Sequence, residues 1–421
     1  MMNGRKWKDI GWFIYQLLVK KDYFEIMLLR RFCSKSSIQD LLARSQVSTR
    51  HPQQQSDFNM DPITGLPQKP EVASTIFEES IKNRKEFDGA PAVFLFPGQG
   101  SQFVGMGSKI AMEPEVNDIF TQASNYLGYD LLKLCTDGPQ SELNRTEFCQ
   151  PAIYVVSLAA VHWLRLYKPK VVENNCVCAG ISLGEISALA HAGCFSFLDG
   201  LKLVKARAKA MQQASELVPS GLISVFGSKN TSFGDLCTSA LQAARIKLET
   251  SKYVDDKVPN VKDALDNLTC EISLTLFRNT KVIGGDEESL EQIKNLAKSY
   301  SVRRVKRLPV SGAFHTALMK PAVDDFSKIL HKVEIKEPSI PVYCGVTGNL
   351  YPPFNPQAIR QGLIKQLTQR IKWETVVCRI FQRPSTVDYP ESWEVGPGRD
   401  LGRILQVINN QAFHKYKNVF V

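Results

Sequence analysis

Apolar positions along this chain fall into two periods, and the switches between them mark out its elements. From residue 91 to about 218, short continuous apolar runs such as Phe94-Leu95-Phe96 and Val177-Cys178-Ala179 alternate with helix-like stretches. That alternation predicts strands and helices in turn, the beginning of a parallel sheet. Residues 219–310 read as a separate βαββαβ unit. Its strands are expected near 222–227, 271–277, 281–284 and 301–309, and its helices near 232–248 and 287–299. That order is the pattern of a ferredoxin-like module, with the polar stretch 249–267 looping out of it. Residues 311–405 return to the large domain, with a helix near 321–332 and strands near 342–346 and 393–395. Residues 51–90 read as a Gln- and Pro-rich linker followed by a helix over 72–87, and residues 406–421 as a basic tail.

The chemistry concentrates at Gly180-Ile181-Ser182-Leu183-Gly184-Glu185, where a short apolar strand runs into a Gly-x-Ser-x-Gly turn and then a helix. This is the setting of a nucleophile elbow, in which flanking glycines permit a strained turn and the serine stands at a helix N-terminus. Free N–H groups and the helix dipole there favour an oxyanion. The chain has only six histidines, so a base can be sought by elimination. His191 lies nine residues along the same helix, about 13 Å away at 1.5 Å per residue, out of reach. His51 sits in the polar linker, His414 in the basic tail, and His162 and His331 in helical runs. His315 follows a predicted strand in the small-residue loop Ser311-Gly312-Ala313-Phe314-His315-Thr316, and is the candidate general base. Arg207 falls on the apolar face of a helix with Leu203, Val204, Ala210 and Met211. A cation there needs an anion, which leaves two readings open: a structural ion pair, or a bidentate clamp for a substrate carboxylate.

Five ordered blocks carry a family resemblance: Phe94-Leu95-Phe96-Pro97-Gly98-Gln99-Gly100-Ser101-Gln102, Gly180 to Glu185, Arg207-Ala208-Lys209-Ala210-Met211-Gln212, Gly312 to Thr316, and Glu394-Val395-Gly396-Pro397-Gly398. In order and spacing the chain resembles the malonyl-CoA:acyl carrier protein transacylases, the mitochondrial animal type above all, over residues 91–405. The resemblance implies an α/β fold: a large α/β-hydrolase-like domain (91–218 and 311–405) with a parallel sheet, and an inserted ferredoxin-like small domain (219–310). It implies a ping-pong transfer in which Ser182 attacks the malonyl thioester while His315 takes its proton. The N–H groups of Gln99 and Leu183 would hold the oxyanion and Arg207 the malonyl carboxylate. The 4′-phosphopantetheine thiol of acyl carrier protein would then take the acyl group. Gln366 matches the position whose backbone carbonyl orients the histidine. Phe314 resembles the malonyl-type signature and would crowd an α-methyl branch. The bacterial pattern has histidine directly before the nucleophile; this chain has Ile181, as animal mitochondrial members have an apolar residue. No metal or cofactor is implied, and the expected oligomeric state is a monomer.

Composition fits one soluble enzyme of 421 residues. Its ten cysteines are scattered without a CxxC pair, which reads as reduced thiols rather than a disulfide framework or a metal site. Residues 1–56 hold ten Lys and Arg against four Asp and Glu, so they carry +6 of the net +10. With the Arg- and Ser-rich run from Leu28 to Ser37, residues 1–50 read as a mitochondrial transit peptide delivering the chain to the matrix. Met27 offers an alternative start. The apolar run 10–19 is half of what a bilayer requires, so no membrane span is expected. Arg303, Arg304, Lys306 and Arg307 form either a solvated face or a docking patch for an acidic carrier protein. Nucleic acid fits less well, because no aromatic interleaving or binding module accompanies the charge. Two rival functions remain in view. A water-using α/β-hydrolase would need an acid between serine and histidine, and Asp286 stands there in chain order. A catalytically silent carrier-protein binder would keep the scaffold alone.

Overall fold

The structure, a computed structural model, describes residues 89–251 and 261–421. The expected transit peptide (1–50), the linker and leading helix (51–90, apart from its last two residues) and part of the 249–267 insertion lie outside the described residues. Eight strands are found among the described residues: β1 (Ala92–Phe96), β2 (Asn175–Gly180), β3 (Ser220–Phe226), β4 (Cys270–Phe277), β5 (Thr280–Asp286), β6 (Arg304–Arg307), β7 (Glu391–Glu394) and β8 (Tyr416–Asn418). They form two separate sheets within one compact unit comprising Phe87–Phe381 and Asp388–Val421.

The first sheet has the order β2-β1-β7-β8, and every pairing in it is parallel. β1 and β2 are buried along their whole length. This is why their sequences are continuous apolar runs rather than alternating ones: helices cover both faces of a parallel sheet. Phe94 and Phe96 of β1 enter the main core with Ile153 and Val156 of the Thr146–Tyr167 helix and Leu203 and Val204 of the Phe197–Leu217 helix. Among the described residues, no helix is long and apolar enough to cross a membrane.

The second sheet has the order β4-β5-β3-β6 and is antiparallel throughout. One face, with Ile223, Val225 and Ile283, packs on Leu236, Ala240, Leu290 and Ile293 from the helices Phe233–Ser251 and Glu287–Leu296. The other face contributes Leu222 and Val282 to the main core. Backbone bonds from Thr275 N to Ile371 O and from Ile371 N to Ser273 O, both 2.9 Å, stitch β4 to the segment leading into the Trp373–Phe381 helix.

Three expectations need correction. Residues 342–346 are no strand. Val342 makes one parallel bridge to Cys178 and Tyr343 one antiparallel bridge to Leu350. The chain then turns back at Gly348 (φ 73°), so Cys344 bonds Asn349 instead of extending the sheet. Residues 406–421 are no tail. They supply the Asn410–Phe413 helix and β8, which covers the open edge of β7, and they bury Ala412, Val419 and Val421. Their lysines disguise this, because Lys415 and Lys417 lie outward on Asp388 and Glu391. The 249–267 stretch is not all loop either: the Phe233–Ser251 helix runs into it and Val261–Asp266 is helical.

Candidate active site

β2 ends at Gly180, and the next helix, Leu183–His191, begins three residues later. Between them Ser182 takes φ 54° and ψ −109°, a conformation an L-residue adopts only under constraint. The constraint is steric. A Cβ on Gly180 would lie 1.9 Å from the Gly184 carbonyl carbon, and one on Gly184 would lie 2.1 Å from Phe96 O. Only glycine lets the helix start come this close to the ends of β1 and β2. The Gln99 loop is pressed on the elbow in the same way, since a Cβ on Gly98 would meet Ile181 O at 2.4 Å. The amides of Gln99 and Leu183 are engaged by no acceptor among the described residues. The Gln99 side chain donates to Thr146 Oγ1 (3.2 Å), which in turn bonds Ser311 Oγ (3.0 Å) on the histidine loop.

His315, 3 % exposed, arrives from that loop with φ 62°. Its Nε2 lies 2.8 Å from Ser182 Oγ and its Nδ1 2.5 Å from Gln366 O. The Pro356–Thr368 helix ends here, so its last carbonyls have no intrahelical partner. Two of them serve His315: Gln366 O takes the ring Nδ1–H and Leu367 O the backbone N–H (3.1 Å). A carbonyl at Nδ1 fixes the tautomer and leaves the Nε2 lone pair facing the serine hydroxyl. Burial lowers the imidazole pKa to about 3, reinforced by Arg207 and opposed by the Gln366 carbonyl. The ring is therefore neutral at physiological pH. Asp286, the acid that chain order offers to a hydrolase, instead caps the Glu287–Leu296 helix through Ser289 N and bonds Thr269 N.

Arg207 projects inward from the Phe197–Leu217 helix and is 1 % exposed. Nη1 donates to Gln150 Oε1 (2.7 Å); Nη2 donates to Gln366 Oε1 (2.8 Å) and to Ser182 Oγ (3.1 Å). Its Nε has no hydrogen-bond partner among the described residues. Desolvation lowers its pKa to about 10, with nearby Glu185 acting the other way, so it stays protonated at neutral pH. Thus a buried cation beside the serine has only neutral groups bonded to it among the described residues. The open alternative of a simple structural ion pair finds no directly paired carboxylate among the described residues.

The structure thus brings together Ser182, His315, Arg207 and Gln366. Phe314 is packed in the main core, with its carbonyl accepting from Ser273 Oγ (2.8 Å). Arg303, Arg304, Lys306 and Arg307 are exposed on and beside β6, outside this network. Arg304 and Lys306 stand opposite Phe226 and Ser224 in the ladder, and the Arg304 guanidinium lies 5.6 Å from the Phe226 ring. Arg307, opposite Ile223, bonds both carboxylate oxygens of Glu287. Among the described residues no group of His, Cys, Asp or Glu could hold a metal ion.

Sequence reasoning missed Gln150, Glu185 and Tyr351. Gln150 is buried beside Pro151 in the apolar stretch of the Thr146–Tyr167 helix, and Glu185 is fully buried in the helix Leu183–His191. Both are polar groups on apolar helical stretches, the same signal in the sequence that marks Arg207.

A family model described as acyl transferase domain matches residues 93–231. A mitochondrial malonyl-CoA-acyl carrier protein transacylase of Mus musculus is 41 % identical over 350 residues, 83 % of this chain and 87 % of the mouse protein. The malonyl CoA-acyl carrier protein transacylase of Escherichia coli K12 is 33 % identical over 327 residues, covering 76 % and 95 % of the two chains. The solved transacylase of Coxiella burnetii superposes with a TM-score of 0.66 at 29 % identity, covering 78 % of this chain and 94 % of that one. A malonyl-transacylase solved in complex with its type II polyketide acyl-carrier protein gives 0.65 at 31 % identity, covering 78 % and 95 %. With the elbow serine, its histidine and the buried arginine in one network, and relatives of this identity along most of its length, the chain belongs to the malonyl-CoA-acyl carrier protein transacylase family.

Proposed function

We propose that this protein transfers the malonyl group from malonyl-CoA to the 4′-phosphopantetheine thiol of acyl carrier protein, through a malonyl-serine at Ser182. The observation that carries the reading is the 3.1 Å between Arg207 Nη2 and Ser182 Oγ. In a malonyl group the carboxylate carbon lies only two C–C bonds from the acyl carbon, about 2.5 Å at 1.5 Å per bond. A receptor for it must therefore stand almost on top of the nucleophile, as this guanidinium does.

The steps follow from the hydrogen bonds. Ser182 Oγ gives its proton to His315 Nε2 as it attacks the thioester carbon. The oxyanion is held by the N–H groups of Gln99 and Leu183. Its collapse breaks the C–S bond, and His315 returns the proton to the departing CoA thiol. The carrier thiol then attacks the ester, His315 takes its proton, and the C–O bond breaks to restore the serine hydroxyl. Phe314 narrows the acyl pocket against an α-methyl branch.

The same reading assigns an α/β-hydrolase-like large domain (91–218 and 311–405) and a ferredoxin-like small domain (219–310), which the order β4-β5-β3-β6 suits. The chain works in the mitochondrion, in its matrix, as a monomer delivered by the segment 1–50, in keeping with mitochondrial relatives. Arg303, Arg304 and Lys306 steer the acidic carrier, while Arg307 is engaged by Glu287.

The test is transfer of radiolabelled malonyl from its CoA ester to purified mitochondrial acyl carrier protein. Ser182→Ala abolishes transfer. Arg207→Ala lowers malonyl kcat/KM by about 10²-fold or more, the cost of a lost buried charge pair, and keeps acetyl transfer. Release of free malonate without labelled carrier would overturn the reading in favour of a hydrolase.

A further inference from the structure

Gln366 performs two tasks, one through its backbone and one through its side chain, and the second depends on which way the amide is turned. Its carbonyl holds His315, and its Oε1 accepts from Arg207. An amide can be reversed end for end at little steric cost, and reversal would point an NH₂ group at the guanidinium. What prevents this is Glu185. Gln366 Nε2 donates to Glu185 Oε2 (2.6 Å) and to Ser182 O (3.1 Å), two acceptors that cannot receive an oxygen.

Glu185 is itself held. It is fully buried, one helical turn beyond the nucleophile. Gly345 N donates to its Oε2 (3.0 Å), and the Tyr351 hydroxyl donates to its Oε1. Tyr351 reaches that point because Gly362, one turn before Gln366 on the same helix, leaves room: a Cβ there would lie 2.4 Å from the tyrosine hydroxyl. The carboxylate thus offers only acceptors to three converging donors, and it makes no direct ion pair with Arg207.

We propose that Glu185 is a positioning residue for acyl selectivity: clamped by Tyr351 and Gly345, it locks the Gln366 amide so that Arg207 faces the acyl site as a carboxylate receptor. The inference rests on the malonyl-transfer reading. It makes a distinction a merely structural role would not, because acetyl transfer has no use for Arg207.

The experiment measures kcat and KM for malonyl-CoA and acetyl-CoA with the full chain and acyl carrier protein. In Glu185→Ala, malonyl kcat/KM falls about 10- to 100-fold, the scale of a hydrogen-bond network on a charged group, mainly through KM. Acetyl kcat/KM stays within about threefold, so the malonyl preference collapses. Glu185→Gln keeps it, since its oxygen can face Gln366 and Gly345 while its NH₂ faces the Tyr351 oxygen. In a Gln366→Met background the Glu185→Ala effect on selectivity disappears, because the two act in one chain. Glu185→Met, of similar volume, replaces Glu185→Ala if that variant does not fold. Equal loss for both acyl groups, or an effect that persists in Gln366→Met, overturns the proposal. A wild-type enzyme without malonyl preference would instead strike the underlying reading, whatever the variants do.

Discussion

The proposed base, His315, should stay active far into acid, which can be tested without any substrate. His315 has its pKa lowered to about 3 by burial and by Arg207, against 6.5 for an unperturbed imidazole. Ser182 in the free enzyme can be titrated with a neutral fluorophosphonate, whose second-order rate depends on the fraction of neutral imidazole and carries no ionisation of its own. At pH 5 an unperturbed histidine is only about 3 % neutral, and labelling would be about 30-fold slower than at pH 8. A histidine near 3 is still about 99 % neutral at pH 5, so the rate should be flat within experimental error from pH 8 to pH 5. Active-site counting by mass spectrometry at Ser182 gives the rate, and His315→Ala gives the background, lower by about 10²- to 10⁴-fold. A sigmoidal loss of labelling with a midpoint between 6 and 7 would refute the argument that desolvation and the neighbouring guanidinium hold this ring neutral.

Binding should change that base. A malonyl carboxylate on Arg207 cancels part of the charge that opposes imidazolium, so malonyl kcat should fall at an acidic pH where labelling of the free enzyme is still flat; acetyl kcat should not. Gly184→Ala should destabilise the fold by about 3 kcal/mol and lower Tm, since its Cβ would sit 2.1 Å from Phe96 O; an unchanged Tm would contradict the packing of the elbow. Reversing Arg304 and Lys306 to Glu should raise KM for the carrier at low salt and leave KM for malonyl-CoA alone, whereas Arg307→Glu should chiefly lower Tm by facing Glu287. Acid should weaken the fold. His315 and His191 both have folded pKa values below 6.5, about 3 and about 4, with desolvation the main cause. Above pH 6.5 neither matters; below it the unfolded chain takes up protons the native one refuses, so denaturant midpoints should drop from pH 6.5 towards pH 4. A midpoint constant over that window would contradict the buried, neutral rings.

How much of this was legible beforehand follows from how local each feature is. The Ser182 elbow is written in six consecutive residues, because the glycines that permit the turn must flank it; the observed helix begins at Leu183, inside the Gly-x-Ser-x-Gly run rather than after it. The βαββαβ order was legible for the same reason, as each element carries its own period. β8 was not, because three residues, Tyr416 to Asn418, become a strand only when the edge of β7 is there to pair with them. The segment 342–346 failed in the opposite sense: its apolar content fits a strand, but the backbone bonds that would extend it are taken by the turn at Gly348. At the site, Ser182, His315 and Arg207 stand out singly, as an elbow hydroxyl, a loop imidazole and a misplaced cation. Gln366 had no such mark of its own and came only with the family likeness. Its value lies in a helix terminus whose carbonyls are unspent and in an amide whose direction is dictated by Glu185, 181 positions earlier in the chain. A catalytic side chain must be reactive, and reactivity leaves a trace in the sequence. The groups that hold it in place need only be the right shape in the right company. Such company is created by folding, which is why the second layer of this site had to be read from the structure.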